Sequence, residues 1–203
     1  MRVFSYWRTV RPEVCFARIW EELAALADAA AREGLTIGLE NEHACNIATG
    51  GELARALTAV DHPNLKAVWD PANALVAGDI PYPVGYSGLV AERIGHIHAK
   101  DCRIVDGRPV WGPLGQCGNG WREQMEATLA GRAGNSRNRG GVDWRGQMVA
   151  LWRDGYRGWI SLETHWEGPG GDRLQGSAIC ARNLRKLVEE AGEGYPIDRG
   201  LRR

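Results

Sequence analysis

The chain has 203 residues, and its 25 Lys plus Arg balance its 25 Asp plus Glu. Zero net charge argues against nucleic acid or an acidic membrane surface as partner, since both favour a basic excess. Hydrophobic content of 44% argues against global disorder, no stretch is apolar for long enough to span a bilayer, and five cysteines without a C-x-x-C spacing argue against a disulfide framework or a zinc ribbon.

In chain order, residues 3–7 read as a strand. Pro12 and Glu13 open a helix whose apolar positions Phe16, Ile19, Trp20, Leu23, Leu26, Ala27 and Ala30 recur at helical spacing, and Gly34 stops it. Residues 36–40 form the second strand. Thr49 with Glu52 matches a capping box and starts a helix carrying Leu53, Leu57 and Val60. Residues 65–70 form the third strand, and Pro71, Pro81 and Pro83 predict an irregular connection with a helix near residues 89–94. Residues 95–101 form the fourth strand. Residues 102–141 are glycine-rich and read as loop, with a short helix expected at 121–129. Asp143 can cap a helix carrying Met148, Val149, Leu151 and Trp152, stopped by Gly155. Residues 159–163 are the fifth strand and 177–191 the last helix.

Strands alternating with helices predict parallel βαβ units. The strand ends carry the chemistry. Thr36-Ile37-Gly38-Leu39-Glu40, Leu65-Lys66-Ala67-Val68-Trp69-Asp70, Ile94-Gly95-His96-Ile97-His98 and Trp159-Ile160-Ser161-Leu162-Glu163 each finish in a residue that can bind metal or move a proton. In a parallel barrel all such ends open on one face. Glu40, Asp70, His98 and Glu163 are therefore expected to converge, as a hard, oxygen-rich set suited to Mn, Mg, Co or Zn. Singly, each has a plainer reading: a solvated carboxylate, a turn-forming Asp before proline, a hydrogen-bonded structural histidine. His96 is expected to point away from His98 and to be structural. Glu42 and His43 follow the second strand and are placed to line a pocket. Lys100, Arg103 and His165 are candidates for an anionic group, against the default of solvated cations. Most of the nine Trp residues read as core, with Trp7, Trp69, Trp111 and Trp166 as candidates for a sugar-facing wall.

The motifs Leu39-Glu40-Asn41, Trp69-Asp70-Pro71-Ala72-Asn73, Gly95-His96-Ile97-His98-Ala99-Lys100-Asp101, Pro113-Leu114-Gly115, Val142-Asp143-Trp144 and Gly155-Tyr156-Arg157-Gly158, taken in order, resemble the xylose isomerase-like TIM barrels, the sugar phosphate isomerases and epimerases. The likeness runs to about residue 190. It implies an α/β TIM barrel in one domain, residues 1–203, that is partial. The chain supplies what read as family strands four to eight, the first three βα units being missing, so a truncated chain is expected. Glu40 to Asp70 spans 30 residues and Asp70 to His98 spans 28, near the roughly 31 of a barrel unit. His98 to Glu163 spans 65, which predicts a loop-rich insertion at about 116–141.

Carried over, the family's metal ligands fall on Glu40, Asp70, His98 and Glu163, and its acid/base pair on Glu40 and Glu163. Substrate contacts are expected from Asn73, His43, Lys100, Arg103, Trp69 and Trp166. The family often has His where this chain has Asn73. The implied reaction is isomerisation or epimerisation of a sugar or sugar phosphate by proton transfer through a metal-stabilised enediolate. A dehydratase of a keto-polyol or keto acid would use the same site. More distant alternatives are an AP-endonuclease-like nuclease, disfavoured by five histidines and neutral charge, and a non-catalytic truncated barrel. The N-terminus lacks a signal-peptide pattern, so a cytoplasmic enzyme is expected, with homo-oligomerisation left open.

Overall fold

The computed structural model describes residues 1–118 and 139–193. Five parallel strands form one sheet in the order β1-β2-β3-β4-β7: β1 (Arg2–Phe4), β2 (Ile37–Glu40), β3 (Leu65–Trp69), β4 (Ile94–Ala99) and β7 (Trp159–Leu162). Between β4 and β7 an antiparallel hairpin is inserted, β5 (Asp101–Val105) with β6 (Arg108–Gly112). The helices are α1 (Phe16–Arg32), α2 (Gly50–Val60), α3 (Pro71–Val76), α4 (Trp144–Arg153) and α5 (Arg173–Glu193). Among the described residues no helix is long and apolar enough to cross a membrane.

Residues alternate between the two faces of a strand, and the sequence sorts them accordingly. Ile37, Leu39, Leu65, Ala67, Trp69, Ile97 and Ala99 are buried in the cluster that includes the helix residues Phe16, Ile19, Leu23, Leu53, Leu57, Met148 and Leu151. Each fully buried Leu or Ile contributes about 1.5–3 kcal/mol relative to exposure. The other face carries Arg2, Gly38, Glu40, Val68, His96, His98 and Ser161, and is mostly polar. Gly38 keeps that face open, since a Cβ there would sit 2.7 Å from Val68 Cγ2.

Several helix boundaries follow from local chemistry. Thr49 and Glu52 form the expected capping box. Gly34, at φ 66°, follows the end of α1 in the left-handed conformation that glycine adopts freely. Asp143 caps α4 by accepting from the Gly146 N–H at 2.9 Å.

Some expectations need correcting. β1 stops at Phe4, and Trp7 makes only an isolated bridge to Cys45. The stretch after Asp70 is helical, because Asp70 accepts from the Asn73 N–H at 2.9 Å and Pro71 takes the first helical position, where its missing N–H costs nothing. The helix expected near 89–94 is one 3-10 turn, Ala91–Arg93, running into β4. The start of the stretch read as loop is the β5–β6 hairpin. Its Asp106 and Gly107 both have positive φ, 51° and 78°, as a tight two-residue turn requires. α5 begins at Arg173, four residues before the expected start at 177. The helix expected at 121–129, and most of the insertion expected at about 116–141, lie outside the described residues.

The feet of that segment are held by one carboxylate. Asp101 accepts from the backbone N–H groups of Gly115 (2.9 Å), Cys117 (3.4 Å) and Val142 (3.1 Å). Burial pushes its carboxyl up to about 7, against the pull of these donors. Asp101→Ala leaves three donors without an acceptor, at about 1–3 kcal/mol each. Urea unfolding of this variant should give a loss of about 3 kcal/mol or more. A midpoint and slope equal to wild type would show that Asp101 does not anchor the segment.

Candidate metal centre

Three of the four strand-end residues are placed by the parallel register. Glu40 closes β2, Asp70 follows the last residue of β3, and His98 is the fifth residue of β4. Glu163 follows β7, its N–H donating to the Ala99 carbonyl at 3.0 Å. Their ligand atoms all lie within 4.8 Å of one another. Ligands at roughly 2.0–2.6 Å from an ion stand at most about 5.2 Å apart, so one divalent cation spans this set. Glu40 Oε2 and Asp70 Oδ2 are buried, and their polar contacts are ion pairs with Arg2 and Lys100. Oxygens so buried are costly unless a positive charge faces them. Three carboxylate oxygens and one imidazole nitrogen therefore fit a hard divalent ion.

Two cations border the cluster. Lys100 Nζ donates to Glu163 Oε2 at 2.6 Å and lies 2.9 Å from Asp70 Oδ2. Arg2 Nη1 lies 3.1 Å from Glu40 Oε2 and 3.6 Å from Glu163 Oε1. His98 Nδ1 meets Glu40 Oε1 at 2.9 Å and stands 3.8 Å from Glu163 Oε2. Burial pushes the Asp70 carboxyl up to about 6 in spite of Lys100. Burial also works to raise Glu163, but the hydrogen bond and charge of Lys100 hold it below the usual carboxylate range. For His98, burial opposes the charge while the Glu40 hydrogen bond and the nearby carboxylates carry its pKa above the ordinary value.

The cluster is braced by asparagines. Asn41 donates to the carbonyls of Asp70 (2.8 Å) and Ala48 (3.1 Å), and its Oδ1 accepts from the Asp70 N–H at 2.9 Å, so the ends of β2 and β3 are locked together. Asn73 Nδ2 reaches Glu40 Oε1 (3.4 Å), the Asn41 carbonyl (3.0 Å) and Glu42 Oε2 (3.2 Å). His43 Nδ1 pairs with Glu42 Oε1 at 2.6 Å, and that hydrogen bond raises the imidazole's pKa. A polar chain thus runs from buried Glu40 through Asn73 and Glu42 to exposed His43.

Of the residues expected to contact substrate, Asn73, His43 and Lys100 lie on or beside the cluster. Arg103 is exposed on β5 opposite Val110, with its charge felt at Cys117. Trp69 is 0% exposed and its indole N–H donates to Gln147 Oε1 at 3.0 Å, so it is core beneath the site and not a wall. Trp166 is half-buried against the core. Among the other tryptophans considered, Trp111 stacks on His165 at 4.5 Å, with Lys100 Nζ 5.9 Å from its ring. His96 does not point away from His98. Residues two apart on a strand share a face, and the rings meet edge-on at 5.4 Å. His96 Nε2 bonds Ser161 Oγ at 2.6 Å. Arg2 was missed altogether. Its signal is its register opposite Gly38, which puts it on the face that carries Glu40.

A family model for the xylose isomerase-like TIM barrel matches residues 3–187. No curated protein sequence matches the chain. Among solved structures, an IOLI protein with a bound zinc atom aligns with TM-score 0.66 and 18% identity over 94% of this chain and 63% of its own. A D-tagatose 3-epimerase-like protein aligns with TM-score 0.62 and 19% identity, over 95% of this chain and 63% of its own. A xylose isomerase-like TIM barrel protein from Mycobacterium smegmatis in complex with magnesium gives TM-score 0.61 and 19% identity, over 88% and 52%. The chain thus spans less than two thirds of the length of these proteins, and its five parallel strands are part of the barrel. Across its strands, its site and the family match over 3–187, the chain belongs to the xylose isomerase-like TIM barrel family.

Proposed function

We propose that the site serves a divalent-metal-dependent isomerase or epimerase acting on a sugar or sugar phosphate. The observation that carries this reading is the gathering of Glu40, Asp70, His98 and Glu163 within 4.8 Å at the C-terminal ends of parallel strands. The zinc and magnesium in two similar structures, and the likeness to a D-tagatose 3-epimerase-like protein, support it. These four residues would hold the ion, which when bound polarises a substrate carbonyl and acidifies the neighbouring C–H.

The protein's own groups then handle the proton. Glu163 can accept a proton, its carboxyl being held ionised by Lys100, which keeps its pKa below the usual carboxylate range. Glu40 stands on a strand separated from β7 by β3 and β4, and so reaches a bound substrate from another direction. One glutamate removes the proton and the other returns it. Return to the opposite face of the same carbon gives an epimer. Return to the neighbouring carbon interconverts aldose and ketose, and departure of a β-hydroxyl gives dehydration. The polar chain from Glu40 through Asn73 and Glu42 to His43 holds Glu40 in orientation and offers an exposed imidazole to substrate hydroxyls.

Two measurements test this reading. Protein equilibrated with Mn2+ should carry one ion per chain by elemental analysis, and Asp70→Asn should weaken binding by about tenfold or more. At a hundredfold excess over Kd the ion should add about 2.7 kcal/mol of stability, removable by EDTA. Equal metal content in wild type and variant would remove Asp70 from the set. In deuterated water, Glu40→Gln and Glu163→Gln should each stop metal-dependent exchange of the sugar α-proton, with loss of at least about 100-fold in rate. Full exchange in the double variant would falsify the acid/base assignment, and a product lacking one water would identify a dehydratase.

A further inference from the structure

Lys100 is placed unlike an ordinary surface lysine. It follows the last residue of β4 and lies two residues beyond His98, so its side chain leaves the same face. Its backbone is pinned, the Trp144 indole N–H donating to its carbonyl at 3.2 Å. Its side chain is 4% exposed, and its ammonium touches Glu163 Oε2 at 2.6 Å and Asp70 Oδ2 at 2.9 Å. Arg2, the other bordering cation, is 44% exposed and stands at 3.1 and 3.6 Å from Glu40 and Glu163. Arg2 is therefore the wetter and looser of the two, and its charge is better screened.

An ammonium buried between two carboxylates does two things. It offsets their mutual repulsion and their desolvation, so the strand ends can meet without an ion. It also ties up, with a positive charge, the same two oxygens that a divalent cation needs. A second cation entering this dry site meets a like charge a few ångströms away, and it must win those oxygens from Lys100. The Trp111 ring, 5.9 Å from Nζ, offers the ammonium an aromatic face on which to withdraw.

We propose that Lys100 is an internal competitor for the cation, bridging Asp70 and Glu163 in the metal-free protein and setting the metal concentration at which the site loads. This rests on the metal-site reading above and adds to it a residue that holds the site together while weakening its affinity. Removal of the ammonium with the stem retained, as in Lys100→Met or Lys100→Gln, has opposite effects on the two states. The metal-free protein loses an ion pair, and the metal-bound protein loses a repulsion.

The test is calorimetric titration of Mn2+ into wild type, Lys100→Met, Lys100→Gln and Arg2→Met, with thermal melts in EDTA and in excess Mn2+. The Lys100 variants should bind Mn2+ about tenfold more tightly or better, the scale of a close desolvated charge pair. They should melt below wild type in EDTA and recover in Mn2+, and Arg2→Met should shift affinity less. If wild type binds and the Lys100 variants bind equally or more weakly, Lys100 is no competitor while the metal reading stands. Binding by the variants but not by wild type supports the proposal in its strongest form. Absence of binding in all four proteins sinks the metal reading and this proposal together. Should the variants fail to fold, reductive methylation of the wild type replaces them. Mn2+ should raise labelling of Lys100 while leaving Lys186, whose side chain is 77% exposed, unchanged. Labelling of Lys100 that ignores Mn2+ overturns the proposal.

Discussion

Three carboxylates brought to one point repel each other. At about 4 Å and an effective dielectric near 20, each like-charged pair costs on the order of 4 kcal/mol. The strand ends of this sheet can meet only if positive charge stands among them. Lys100 and Arg2 supply it, each within 4 Å of a carboxylate oxygen, and His98 Nδ1 meets Glu40 Oε1 at 2.9 Å. That requirement ties residues 2 and 163, which are far apart in the chain, into one electrostatic unit. It also accounts for a sheet face that carries arginine, histidine and serine where the opposite face carries only apolar side chains.

The same carboxylates do structural work. Asp70 caps α3 through the Asn73 N–H, and its backbone is clamped by Asn41. Its position is thus over-determined by the fold before any ion binds. Glu40 is held by His98 and Asn73, while Glu163 sits half-buried with Lys100 and Arg2. Asp70 is thus held through both backbone and side chain, Glu40 is braced on two sides, and Glu163 is the most open of the three. The hairpin β5–β6 adds a wall at the mouth through Trp111, and Asp101 at its root fixes the ends of the longer excursion that follows.

The local signals were readable because they are short-range chemistry. The capping box at Thr49 and Glu52, the apolar spacing of α1 and the polar ends of apolar runs depend on residues a few positions apart. The Asp106-Gly107 turn belongs to the same class, and went unread only because the surrounding residues 102–141 are glycine-rich as a block. Asp70 as a helix cap was hidden by the prolines after it, although proline at the first helical turn is favourable.

What the amino-acid sequence determined by itself was the alternation of strand and helix, the four residues at the strand ends, and through its ordered motifs the family. Tertiary structure alone decided what surrounds those four residues. Arg2 became part of the site through the pairing of β1 with β2, Lys100 through its reach to two neighbouring strands, and Trp69 was withdrawn from it by complete burial. The reason is that period and capping are properties of adjacent residues. Which charge faces which oxygen depends on the register between strands that are tens of residues apart.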